Sequence, residues 1–376
     1  MSFLLISDSY YPDHRSSGLI VKSLYQILKK NNYKCKVLSL IENNKFKSNQ
    51  DLTLIKTNNF RKSNFIIRII FTLFYVTKLI ISLSKLKYNP KLIYIYYPSF
   101  ILLLLIPFAK IKFKKTKILV HYQDHFPENA YDLKIIKSKI ILNSISKVRK
   151  KILSKEIKIV VNSIKLKKNL KKLICNNDIY FFHNWPLIKK DNTSKKIKKF
   201  DKFTFIYTGN IGPAQEILPI LNFFANTRLN LDLRIYADGR DFIKLKSNFS
   251  KIKNIHFNSF TNNNLSKIYQ QSHASIISLS LKNKTSFIPS KFYDYTNHNL
   301  PIFALIHKEC DLNSIIPKIG NGLAINHNEP MIIKKNIEKF IKNYKSYINI
   351  NNSNIFENNI NIFLDFLVQT SSDNLN

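Results

Sequence analysis

Residues 203–226 read FTFIYTGNIGPAQEILPILNFFAN. β-branched and aromatic residues fill 203–207, as a buried strand requires. The run breaks at Gly209 and Gly212, and a helix-like apolar stretch covers 214–226. Strand, glycine turn and helix form the unit from which parallel α/β sheets are wound. Two of the chain's 6 glycines fall in this one turn, so its backbone requirement is demanding. Glycines let a ligand approach the backbone, and a helix start directly after them would favour a phosphate. The same pattern suits an ordinary turn that needs positive φ. The spacing is not G-x-G-x-x-G, which argues against NAD.

Working outward from this turn, strand-like runs and amphipathic stretches alternate along the whole chain. Strands are expected at 3–7, 36–40, 92–96, 117–122 and 158–162, with helices at 19–30, 65–85, 99–109, 134–154 and 164–174. The pattern restarts after 200: strands at 203–207, 231–236, 255–257, 274–279 and 302–306, with helices at 214–226, 265–271 and 290–297. The fold class is therefore α/β, with two Rossmann-like domains. Expected boundaries are 1–187, a polar linker at 188–202, a second domain at 203–350, a C-terminal helix at 351–369 and a frayed tail at 370–376.

Composition narrows the class. The 376 residues hold 60 Lys and Arg against 23 Asp and Glu, a formal net charge of +37, and 45% are hydrophobic. That excludes a disordered chain and favours anionic partners such as nucleic acid, lipid headgroups or phosphorylated substrates. Lys, Asn and Ile are abundant in every segment, as a general compositional bias also predicts. Cys35, Cys175 and Cys310 form no C-x-x-C pair, so a reducing compartment is expected. The first residues run into a strand without the charged start of a secretory leader. Residues 65–83 approach spanning length, yet Arg68, Thr72, Tyr75, Lys78 and Ser82 share an arc of roughly 120° on a helical wheel. Two cations at mid-bilayer would each cost about 2.5–3.5 kcal/mol. A helix in a core, or one lying in the membrane interface, is expected instead.

Three further stretches carry chemistry. In FIPSKFYDY (287–295), Pro289 and Ser290 suit a helix start. Lys291 then falls in the first turn, where a cation opposes the helix dipole unless an anion is bound. A pyrophosphate removes the conflict, and Asp294, one turn on, could accept bonds from ribose hydroxyls. A solvated lysine is the alternative. In HYQDHFPE (121–128), Asp124, His125 and Glu128 follow a strand end, where α/β sheets bind ligands. They suit acid/base or hydroxyl-orienting work, or form a polar loop; the spacing matches no zinc pattern. Asp13 in YYPD (10–13), together with Gly18, lies between the first strand and first helix, either facing the same edge or making a turn. FHNWP (182–186) holds the single Trp and reads as a packed aromatic.

In this order the motifs resemble family 4 glycosyltransferases of the GT-B fold, in particular a bacterial surface-polysaccharide subgroup that includes fucosamine-transferase-like proteins. SDSYYPD with Gly18 resembles the family's first glycine loop, and QDHFPEN its D-[LF]-[WF]-P-[ED] element. VVNS (160–163) and HNWP resemble the elements before the domain crossover. YTGNIGPAQ resembles the Y-x-G-N-[IL]-G-x-x-Q loop, and IPSKFYDY followed by LPIFA the P-S-K-x-x-[ED]-Y…P-[IV] element. Three departures stand out. Ser286 replaces the first acid of E-x7-E, Ala237-Asp238-Gly239 replaces G-D-G, and Thr296–Asn299 replaces a small-residue helix.

The resemblance implies a GT-B arrangement, two Rossmann-like domains facing across a cleft, with the C-terminal helix returning to the N-terminal domain. Residues 1–187 would bind the acceptor and 203–350 the nucleotide sugar. It implies retaining transfer from a nucleotide diphosphate sugar, a UDP-sugar, to a lipid-linked saccharide or glycan in O-antigen or capsule synthesis. It implies no cofactor and no metal site. The chain contains no Asp-x-Asp, and Lys291, a helix start and the Gly209–Gly212 amides would stabilise the leaving diphosphate. Donor-binding residues are then Gly209, Asn210, Gly212, Gln215, Ser290, Lys291 and Asp294. Catalytic residues are Asp124, Glu128 and Lys291, with Asp13, Gly18 and His125 on the acceptor side. The basic faces at 134–154 and 165–172 and the helix at 65–83 imply an anionic membrane surface as partner, the protein being cytoplasmic and peripheral on the inner face of the cell membrane. Two competitors remain. A nucleic-acid-binding protein would show a recognition motif, and none is present. A catalytically silent paralogue would bind a glycan or partner without turnover.

Overall fold

The computed structural model describes residues 1–13, 15–42, 47–57, 65–97, 100–153, 156–174, 178–190, 197–260, 264–284, 287–348 and 355–372. The expected linker and tail fall partly outside these residues, and Cys175 and Ser286 wholly outside. The chain forms two units: Met1–Tyr131, Ile136–His183 and Asn359–Asn376 make one, and Asp132–Ile135 with Asn184–Asn358 the other.

The first unit runs β1 (Ser2–Ser7), α1 (Ser16–Lys30), β2 (Lys34–Ile41), β3 (Leu52–Lys56), α2 (Phe65–Lys85), β4 (Leu92–Tyr97), a short 3-10 helix (Phe100–Leu104), α3 (Leu105–Lys112), β5 (Lys117–Tyr122), α4 (Glu128–Asp132), α5 (Lys139–Ile152), β6 (Lys158–Val161), α6 (Ile164–Leu173) and β7 (Ile179–Phe181). Its seven-stranded sheet has the order β3-β2-β1-β4-β5-β6-β7 and is parallel throughout. β4, Leu-Ile-Tyr-Ile-Tyr-Tyr, is buried at every residue, because a parallel sheet is covered on both faces. Leu4, Ile6, Ile93, Ile95 and Val120 of the sheet share one core with Leu79 and Leu83 of α2 and Leu166 and Leu170 of α6.

The second unit runs β8 (Phe203–Asn210), α7 (Leu218–Asn226), β9 (Leu231–Asp238), α8 (Phe242–Phe249), β10 (Ile255–Ser259), α9 (Leu265–Gln271), β11 (Ala274–Ser278), α10 (Lys291–Asn297), β12 (Ile302–Leu305), α11 (Leu312–Ile319), β13 (Gly322–Ile325), α12 (Pro330–Lys342) and α13 (Tyr344–Ile348). Its six-stranded parallel sheet has the order β10-β9-β8-β11-β12-β13. The last helix, α14 (Asn359–Ser372), belongs to the first unit. Phe363 packs tilted against His121 at 5.4 Å and edge-to-face against Tyr94 at 6.1 Å between ring centroids. The returning C-terminal helix is thus present.

Four expectations need correction. The helix expected over 134–154 starts only at Lys139, where the Ser138 hydroxyl accepts from the Ile141 amide. The helix expected from 214 starts at Leu218, because Gly212–Gln215 closes a turn of its own, the Gln215 amide donating to the Gly212 carbonyl at 2.8 Å. Gly18 lies inside α1, not in the preceding loop. On α2 the polar arc is not uniformly outward: Tyr75 is buried and Lys78 exposed, and the apolar Ile70, Leu73, Phe74 and Ile81 are exposed as well. α2 is apolar almost all round, so periodicity could not select which stripe meets the sheet.

Candidate functional site

In the second unit, strand order reverses between β8 and β11. Ligands of open α/β sheets sit beyond the strand ends at such a switch point. β8 ends in Gly209 and Asn210, and α10 follows β11 with Lys291 as its first residue. The two motifs meet there. Gly209 has φ +101°, and a side chain built on it would lie 3.7 Å from Lys291 Nζ. The ammonium stands 3.7 Å from the Tyr207 ring centroid. Burial pulls Lys291 down to about 7, and no ion pair engages it among the described residues. Tyr295 of α10 locks the two motifs: its hydroxyl accepts from the Thr208 amide at 3.0 Å and bonds Thr208 Oγ1 at 3.0 Å.

The other donor-side residues are placed as follows. Asn210 Nδ2 donates to Gln215 Oε1 at 3.2 Å, so these two side chains pair across the turn. Gly212 packs under that pair, a built side chain meeting Asn210 Nδ2 at 3.4 Å. Gly239, at the end of β9, has φ +115°; a side chain there would lie 2.5 Å from the Ile211 carbonyl oxygen and collide with Asn210 Oδ1. The A-D-G turn therefore props the glycine loop. Ser290 precedes α10 without a capping side-chain bond. The Phe292 and Tyr293 amides already donate to Pro289 and Ser290 carbonyls at 3.0 Å each, and the Ile211 amide to Asp238 at 2.8 Å. Fewer amides are therefore open to a ligand than the motifs imply. Asp294 is buried, and its Oδ1 accepts from the Leu187 and Ile188 amides at 2.6 and 2.9 Å. That oxygen anchors the unit's own entering chain and is not open to a ribose. Burial pushes the Asp294 carboxyl up to about 7.

The polar replacement at 296–299 is satisfied internally. His298 bonds the Asp294 carbonyl at 2.8 Å and Ser266 at 3.2 Å, and Asn321 donates to Thr296 at 3.2 Å. Trp185 is buried, as a packed aromatic should be.

In the first unit, the loop between β5 and α4 carries Asp124 and His125, and Glu128 opens α4. Burial raises the Asp124 carboxyl to about 6, opposed by hydrogen bonds from the His125 backbone and the Asn129 side chain. Burial also pulls His125 down to about 4, so its ring is neutral near pH 7. Neither ring nitrogen has a hydrogen-bond partner among the described residues. Glu128 is already committed: Arg149 grips it through Nη1–Oε2 at 2.6 Å and Nη2–Oε1 at 2.7 Å. This holds Glu128 ionised and below its ordinary range, against the opposing effect of burial. A base role for Glu128 does not fit such a pair. His121 is a core residue, bonded to the Tyr94 hydroxyl at 2.6 Å.

Asp13 accepts from the Glu42 amide at 2.9 Å, tying the loop after β1 to the end of β2. Gly18 is required by the chain itself, since a side chain there would meet the Tyr10 carbonyl carbon at 2.9 Å. Neither geometry calls for a ligand. Sequence reasoning missed Arg149, Tyr207 and Tyr295. The signal for Arg149 was an arginine in VRKKI, in a chain that otherwise uses lysine heavily. Among the described residues no group of three or more His, Cys, Asp or Glu is placed to hold a metal.

Two Rossmann-like units, each with a parallel sheet, and a C-terminal helix that returns to the first unit are the features of the GT-B fold, and this chain has it. Solved structures agree. Sucrose-phosphate synthase from Thermosynechococcus elongatus matches with TM-score 0.71 and 11% identity, over 98% of both chains. HepE of Anabaena, in complex with UDP and glucose, matches with TM-score 0.68 and 11% identity, over 99% of this chain and 100% of that one. The lipopolysaccharide outer core galactosyltransferase WaaB matches with TM-score 0.62 and 12% identity, over 98% and 99%. No protein-family model and no curated protein matches the chain.

Proposed function

We propose that this protein is a glycosyltransferase that moves a sugar from a nucleotide diphosphate sugar, a UDP-sugar, to a lipid-linked saccharide or glycan. One observation carries the reading: Lys291 is an ammonium without an ionic partner, held against a positive-φ glycine at the switch point of a parallel sheet. Holding such a partly buried cation without a counter-ion is costly unless an anion arrives. A leaving diphosphate is that anion, and a fixed positive charge stabilises it as the sugar–oxygen bond breaks. The HepE complex contains UDP and glucose, which supports the donor class. In the first unit Asp124 orients the attacking hydroxyl, and retention of configuration follows from the family resemblance.

The place of work is the inner membrane face, in polysaccharide synthesis. The apolar outward face of α2, with Lys78 Nζ 4.4 Å from the Phe74 ring, suits the lipid interface. Among the described residues no helix is long and apolar enough to cross a membrane. The test is a thermal-shift screen with UDP-glucose, UDP-N-acetylglucosamine and GDP-mannose, followed by UDP release. Stabilisation by a UDP compound that Lys291→Ala abolishes supports the reading. Absence of stabilisation by every nucleotide sugar rejects it. Binding with no release, in water or with lipid extract, selects the silent paralogue.

A further inference from the structure

The buried group that this reading does not use is Arg149, 1% exposed, in the last turn of α5. Its guanidinium reaches three points along one short loop. Nη1 donates to the Tyr122 hydroxyl at 3.1 Å, where β5 ends. It donates to the Phe126 carbonyl at 2.8 Å, in the loop itself. With Nη2 it forks onto Glu128, where α4 begins. The Tyr122 hydroxyl in turn donates to Phe126 at 3.1 Å, and Ser146, one turn before Arg149, donates to Glu128 at 3.3 Å. Asp124 and His125 lie between these anchors.

We propose that Arg149 is a positioning residue, whose fork fixes the 122–128 loop and so sets Asp124 and His125 for the acceptor hydroxyl. Stability alone is a poor account of the arrangement. A buried ion pair recovers its desolvation cost only with excellent geometry, and an apolar pair of similar volume is often as stable. What a planar five-donor fork adds is direction, which a lysine ammonium lacks. The loop has no strand ladder of its own, so its geometry depends on such anchors. Misplacing a reacting group by about 1 Å costs on the order of 100-fold in rate. The role in transfer rests on the proposed glycosyltransferase activity; the clamp does not.

The experiment compares the parent with Arg149→Lys and Arg149→Met on the full chain. UDP release from UDP-glucose, with water as acceptor, gives the rate, UDP titration gives binding, and thermal melting gives fold. A positioning role predicts that Arg149→Lys melts cooperatively and binds UDP as the parent does, with kcat reduced by about tenfold or more. His125 supplies an independent readout by NMR titration. Its ring faces Glu128, with Nε2 3.6 Å from Oε2, and feels the opposing Arg149 charge. Removing the cation in Arg149→Met leaves Glu128 unopposed, so His125 should titrate clearly above about 4. A folded Arg149→Lys with kcat within twofold of the parent, and a His125 titration unmoved in Arg149→Met, overturns the proposal. A parent that releases no UDP rejects the transferase reading, and hydrogen exchange then decides the clamp: 122–128 amides as protected in a folded Arg149→Met as in the parent reject it.

Discussion

Replacing Lys291 by Met should make the ligand-free protein more stable while removing its response to nucleotide. The magnitude follows from the site. Burial takes the ammonium from 10.5 to about 7. At about 1.36 kcal/mol per decade, that interval corresponds to about 5 kcal/mol. Lys291 is only partly buried, so hydration and relaxation lower the effective cost to about 2–3 kcal/mol. Methionine is one atom shorter, fills most of the same space and carries no charge. For a unit of this size about 1 kcal/mol moves Tm by roughly 2–4 °C, so Lys291→Met should melt about 4–12 °C above the parent at pH 6. The gain depends on pH. Between about 7 and 10.5 the unfolded lysine holds a proton that the folded one lacks, so the parent gains stability as pH rises through that window. The advantage of Lys291→Met is therefore full below pH 7 and fades towards pH 10. With UDP-glucose at 100 times its Kd, the parent should gain about 2.7 kcal/mol and the variant none. Differential scanning fluorimetry at pH 6, 7.5 and 9.5, with and without UDP-glucose, reads both effects. A variant that melts below the parent at pH 6, or that UDP-glucose still stabilises, refutes the reasoning.

Binding of UDP above pH 7 should be accompanied by proton uptake at Lys291, seen by calorimetry in two buffers of different ionisation enthalpy as unequal apparent heats. Gly239→Ala should destabilise the second unit by about 1–3 kcal/mol through backbone strain at φ +115°, measured by urea melting, and should weaken UDP binding by disturbing Asn210 and Ile211. Asp294→Ala should cost about 1–3 kcal/mol by leaving the Leu187 and Ile188 amides without their acceptor; an unchanged melting curve would dismiss the anchoring role. Phe74→Glu on α2 should reduce flotation with anionic vesicles while leaving UDP binding unaltered.

The α/β alternation was legible because parallel strands are buried on both faces and read as apolar runs, as in Leu-Ile-Tyr-Ile-Tyr-Tyr of β4. The glycine turn and the lysine at α10 were legible because glycine is scarce in this chain and a first-turn cation opposes the dipole. Other elements were hidden for identifiable reasons. β3 is five residues with lysines and asparagines around it, and β7 is only three residues. α11 contains Pro317, which reads as a helix breaker yet lies near the helix end. Partnerships were hidden more deeply than elements. That Asp294 serves the Leu187–Ile188 backbone, or that Glu128 answers to Arg149, depends on contacts 106 and 21 residues apart, which spacing cannot reveal.

The return of α14 to the first unit sets an order of assembly. Residues 359–372 leave the ribosome only after the whole second unit has been made, at about 5–20 residues per second. Until then Tyr94 and His121 lack the aromatic face of Phe363, and Met1 lacks its neighbour Ser371, 3.2 Å away. The part of the chain synthesised first is therefore the last to be completed.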